Sequence, residues 1–109
     1  MGTSAGRVDQ QKVVVTIDAT TGKVSPDPFH VSKSAKQTVE WVCADPNAEF
    51  TVEFKGETPF REKRFHRRAA SSGAVADHIP AGDKLYKYDL TITRGGQTKT
   101  YDPNGQVDA

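Results

Sequence analysis

The stretch KVVVTIDATTGKV, residues 12–24, sets Val13, Val15 and Ile17 at alternating positions with Val14 and Thr16 between them. Side chains two residues apart share one face of a strand, so this pattern predicts a strand ending at the turn Thr21–Gly22. VSPDPFHVSK carries prolines at 26 and 28, which lack the N–H a central strand needs, and reads as an extended edge segment. TVEWVC sets Val39, Trp41 and Cys43 against Glu40 and Val42, and EFTVEF sets Phe50, Val52 and Phe54 against Thr51 and Glu53. The turn-rich ADPNA between them predicts that these two strands pair antiparallel. The sharpest alternation is LYKYDLTI, with Tyr86, Tyr88, Leu90 and Ile92 on one face and Lys87, Asp89 and Thr91 on the other. Gly95 and Gly96 then close a hairpin into QTKTYDP, and the tail NGQVDA is too polar to assign.

Beyond Gly56 the alternation fails. ETPFREKRFHRRAASSG has a helix-start signal at Thr58 and Pro59 and a small, flexible end at Ser71–Gly73, which predicts a long loop with a short helix within about 58–72. AVADHIPAGDK adds a short extended piece and a turn at 81–83. Six to eight short strands without a long amphipathic helix predict an all-β fold, an antiparallel sandwich whose sheets each have an apolar and a polar face. An immunoglobulin-like sandwich satisfies the same alternation, which does not fix strand order. At 109 residues the chain suits one core, expected over 12–109, with the small and polar MGTSAGRVDQQ of 1–11 as a flexible tail.

Several of these features occur in an order that resembles the cupredoxin-like family of Greek-key β-sandwiches. They are VSPDPFHVSKSAKQTVEWV, then DPNAEFTVEF, then IPAGDKLYKYDLTI, with Trp41, Ala81, Gly82, Tyr86 and Tyr88, over roughly Val13–Tyr101. Members that hold copper place a histidine in an HxV step after the Trp strand, a cysteine in YxYxC, and a histidine and usually a methionine in the loop beyond. In this chain the first motif falls on Phe50, Thr51 and Val52 and the second on Tyr86 to Leu90; TITRGGQTKTY then has neither His nor Met, and the only methionine is Met1. Phe50 and Leu90 offer no lone pair to a metal, so the resemblance implies a copper-free domain without a cofactor, Leu90 in the core and Phe50 near it.

Charge and residue chemistry narrow the picture further. A net charge of +1 gives no global pull toward nucleic acid or membrane, and no apolar run reaches the roughly 18 residues of a membrane helix. The chain reads as soluble; no secretory pattern opens it, so the compartment is cytoplasmic if Met1 is native and periplasmic or secreted if a signal was removed. Cys43 is the single cysteine and shares the Trp41 face, so the expectation is a buried, unreactive thiol. His30, His66 and His78 have no metal-ligand spacing, and Asp77 beside His78 is only a neighbouring pair, so neither a metal site nor an enzyme is expected. The strongest local signal is REKRFHRR, Arg61–Arg68, with a balance of +4 that leaves −3 for the rest of the chain. Arg61, Lys63, Arg64, Arg67 and Arg68 with Phe65 form a candidate site for an anion, nucleic acid or partner, against the blander and favoured reading of a solvated loop. The functional expectation is a non-catalytic binding or scaffold module for an unknown protein partner that uses the sheet edge opposite the prolines. Anion or nucleic-acid binding through Arg61–Arg68 is the alternative.

Overall fold

The computed structural model describes residues 12–109, so the tail expected over 1–11 lies outside them. Every regular element among the described residues is a strand: β1 (Lys12–Ile17), β2 (Val24–Ser25), β3 (Phe29–Ser32), β4 (Thr38–Cys43), β5 (Glu49–Phe54), β6 (Arg64–His66), β7 (Ser71–Ala74), β8 (Leu85–Arg94), β9 (Gln97–Tyr101) and β10 (Asn104–Asp108). One sheet runs β2-β1-β4-β7 and the other β3-β10-β8-β5-β6, with β9 also paired to β8. The fold is an all-β sandwich. Its pairing is mixed where an antiparallel one was expected, since β1 runs parallel to β4 and β3 parallel to β10.

Period-two alternation places the core. Val15 and Ile17 of β1, Val39 and Trp41 of β4, Phe50, Val52 and Phe54 of β5, and Tyr86, Tyr88, Leu90 and Ile92 of β8 are all buried on the facing sides. Trp41 is the hub of an aromatic cluster: its ring lies 5.3 Å from Phe65 in a stacked arrangement and meets Phe29, Phe54 and Tyr88 edge-on. The Trp41 indole N–H donates to the Tyr88 hydroxyl at 3.3 Å, which satisfies a donor that burial would otherwise strand. Burial pushes the Tyr88 phenol well above its usual range.

Two expectations are corrected, and the tail left unassigned is placed. TVEWVC and EFTVEF do not pair, because β4 lies between β1 and β7 while β5 lies between β8 and β6 in the opposite sheet. ADPNA therefore arches from one sheet to the other. No helix forms in 58–72; residues 64–66 join the edge of one sheet as β6, and 71–74 join the edge of the other as β7. The polar tail is β10, where only Gly105 and Val107 face inward and Asn104, Gln106 and Asp108 stay partly exposed.

The Pro26–Pro28 segment does lie at an edge, as its missing N–H groups require. It carries the chain from β2, at the border of one sheet, to β3, at the border of the other. Opposite this crossover, β8 and β9 meet through Gly95 and Gly96, whose φ values of 58 and 78 suit the left-handed turn that two-residue hairpins favour.

Candidate functional site

At the two positions where the family resemblance would put metal ligands, the chain has packed hydrocarbon. Leu90 is opposite Val52 and Phe50 opposite Ile92 on the inner faces of β8 and β5, and all four are buried. This donor set does not fit copper, and among the described residues no group of three or more His, Cys, Asp or Glu side chains converges to hold a metal. Cys43 is partly buried against the core. His30 contacts Asp108 at 3.1 Å on the exposed surface, and His78 borders an open recess with Glu57, Arg61 and Asp77.

The Arg61–Arg68 set divides into two groups. Phe65 points into the sandwich, 4% exposed, against Trp41 and Phe60, so its ring is not available to a base or partner. Arg67 turns inward from the tight 66–69 turn, and its guanidinium donates to the Asp45, Ala48 and Cys43 carbonyls at 2.8, 2.6 and 3.1 Å. Five donors in a planar fork let one arginine satisfy three carbonyls of the β4–β5 arch. It is a structural clamp. Arg61, Lys63, Arg64 and Arg68 remain exposed and form no ion pair among the described residues. Arg64 stands directly across the ladder from Glu53, which tempers the local field.

The sheet edges differ in how they are closed. At β7, Ser72 Oγ accepts the Val39 N–H at 2.8 Å where a ladder carbonyl would stand, the register slips between Thr38 and Glu40, and Gly73 has φ 70. Such a bulged, four-residue edge is a poor template for another strand. At β6 the outward N–H and C=O of His66 bond to Ala69 across the 66–69 turn, at 3.4 and 2.8 Å.

β9 has neither device. Its five residues pair with β8 in an unbroken register from Arg94↔Gln97 to Leu90↔Tyr101. In a two-residue hairpin the closing pair is hydrogen-bonded, so Gln97, Lys99 and Tyr101 bond to β8 and the backbone groups of Thr98 and Thr100 point away from it. That outward side meets no strand among the described residues, and Gln97–Thr100 are exposed throughout. The pattern continues past β9: the outward N–H of Asn104 is taken by Asp27 Oδ1 at 3.0 Å, at the point where β3 begins to cover β10. β3 covers one half of the long β9–β10 line and leaves the other half open.

No known protein family and no curated protein matches the chain. The site therefore rests on its own geometry. The outer face beside the open edge carries Thr91 and Thr93 of β8 bonded to Thr100 and Thr98 of β9, at 3.2 and 3.0 Å. Below the end of β9 an open recess of about 380 Å³ is lined by Gly22, Val24, Tyr101 and Pro103 together with Thr21, Lys23, Asp27 and Asp102. Gly22 is required there, because a Cβ built on it would stand 2.1 Å from the Tyr101 ring and its φ of 78 already disfavours a side chain. The turn that bears Gly22 is held by Asp18, whose carboxylate accepts the Thr20 and Thr21 N–H groups and is held below its ordinary range by them. On the other flank Asp45 accepts the Asn47 N–H and the Arg94 guanidinium, and these also lower its pKa. Sequence reading identified QTKTY as a hairpin arm but not as an open edge; the only available signal was its lack of Pro and of more than one charge.

Proposed function

We propose that this chain is a non-catalytic, copper-free binding module with a cupredoxin-like, Greek-key strand connection, and that it contacts a protein partner through the outer edge of β9. The observation that carries the reading is the unpaired, unbulged backbone of Thr98 and Thr100 along β9. Exposed ladder groups recruit a strand from another chain, with backbone bonds supplying affinity and flanking side chains supplying selectivity. The parallel β1/β4 and β3/β10 pairs support the Greek-key connection, since parallel neighbours require crossovers between sheets. The sequence pointed to the edge opposite the prolines, which in that sheet is β7; its bulge favours β9 instead.

A second reading is anion or nucleic-acid binding through Arg61, Lys63, Arg64 and Arg68, supported by the absence, among the described residues, of an ion pair at any of the four. Loss of Phe65 to the core and of Arg67 to the clamp makes it the weaker one. Gel filtration of the full chain with and without nucleic acid, at low and high salt, separates the two. Elution unchanged by nucleic acid fits the edge reading, whereas co-elution that salt abolishes and Arg→Ala changes at those four positions remove would replace it. A photo-crosslinker at position 98 should label a partner in extract from the native host, and one at position 64 should not; equal labelling at both sinks the β9 assignment.

A further inference from the structure

Resting on that reading, we infer that the β9 edge takes an extended strand from another protein with a carboxylate facing Lys99 and an apolar side chain two residues away, over the Tyr101 recess. A strand laid against β9 bonds to the outward N–H and C=O groups of Thr98 and Thr100, and its residues alternate between the two faces of the sheet. Its inward positions then fall beside Lys99 and Tyr101, the inward residues of β9 across from Ile92 and Leu90. Its outward positions fall beside the threonine ladder of Thr98 and Thr100, which suits β-branched or hydroxyl side chains.

The charges around the slot set the sign. Asp27 accepts the Asn104 N–H, Asp102 lies 3.4 Å from Lys87 and Lys23 acts electrostatically on Asp18, whereas Lys99 forms no ion pair among the described residues. The cation on β9 itself, Lys99, has no counter-ion, so a carboxylate set beside it on the incoming strand is attracted and a lysine is repelled. The same argument weighs against a second copy of this chain. Full antiparallel overlap of two β9 strands pairs Thr98 with Thr100 in both directions and sets Lys99 directly against its own copy. The recess selects the second position: the Tyr101 ring, Pro103, Val24 and Gly22 offer an apolar floor that a Leu-sized side chain covers without displacing an existing bond.

The test is an amide NMR titration of the full chain with the synthetic peptide Thr-Leu-Thr-Glu-Thr-Leu-Thr, whose symmetric pattern suits either strand direction, and with counterparts carrying Lys or Ala at the centre. Millimolar peptide should shift the Thr98, Thr100 and Tyr101 amides. The Glu peptide should bind about fivefold more tightly than the Lys peptide at low salt, and the gap should close near about 1 M salt. Lys99→Ala should remove the preference and keep the binding. Thr100→Pro should abolish binding while the Ile92 and Lys99 amides stay protected, which certifies an intact hairpin. Equal affinity for all three peptides overturns the carboxylate inference but leaves the open edge standing. Shifts confined to Arg61–Arg68, or none at all, overturn the edge reading itself, and concentration-dependent shifts at β9 without peptide name a second copy as the occupant.

Discussion

β6 and β9 both border the β8-centred sheet, yet they are opposite kinds of edge. β6 has three residues, fixes its middle one in the aromatic core, and folds its own turn back over His66. β9 has five residues, buries none fully, and leaves two successive outward residues without a backbone partner. The basic segment is conspicuous by charge, yet it commits Phe65 to the core and Arg67 to the β4–β5 arch; the threonine strand is inconspicuous and open. Counting charges locates solvated surface, but an available binding edge is a property of backbone pairing.

This contrast predicts a ranking of variants. The largest effect belongs to Phe65→Ala, which should cost about 3–5 kcal/mol in denaturant unfolding because it empties a place beside Trp41; a cost below about 1 kcal/mol would mean the ring is not core. Arg67→Ala should cost about 1–3 kcal/mol by leaving three arch carbonyls with one donor fewer each, while Arg68→Ala, one residue on, should fall within about 0.5 kcal/mol. Equal effects at 67 and 68 would dissolve the division of the basic set. On the other edge, Thr100→Pro should change stability by under about 1 kcal/mol, since the N–H it removes bonds to nothing in the free chain; replacing Ile92 in the adjacent ladder by Pro should cost about 3 kcal/mol or more. Hydrogen exchange sharpens the same point, with Thr98 and Thr100 amides exchanging well ahead of Lys99.

The smallest expected effect is on pH. Asp18 and Asp45 flank the β9 end and have lowered pKa values in the fold, so their contribution is present above the ordinary carboxylate value of 3.8 and is lost as pH falls through their lower folded values. Mild loosening of the Arg94 and Gly22 ends in acid should precede any change at Trp41. Tyr88 acts at the other limit: its pKa is raised, so its contribution is intact below about pH 10 and declines as pH rises past the value of an unfolded tyrosine.

Alternation made the faces of β1, β4, β5 and β8 legible, because burial on one side is written into every second residue. It was silent on neighbours. Val39, Trp41 and Cys43 alternate in the same way whether β4 pairs with β5 or with β1, and ADPNA turns the chain equally well within a sheet or between sheets. β10 escaped notice because Gly105, which has no side chain, faces inward against the Phe29 ring, leaving Val107 as the only apolar mark. β6 was obscured by its flanking charges, though Phe65 between Arg64 and His66 is itself a three-residue alternation. The role of Arg67 could not be read at all, since its acceptors are 19 to 24 positions away. The open edge was hidden for the same reason as the neighbours, because it depends on where β3 stops.

The single tryptophan also has a practical consequence. Trp41 is 1% exposed and reaches from β4 in one sheet to the Phe54 and Phe65 rings of the other, so the tryptophan fluorescence of this chain comes from one chromophore at the seam of the sandwich. A red shift of its emission would report separation of the two layers and would stay silent while a ligand docks on the remote rim. One optical signal can then tell melting from occupancy without any label being attached.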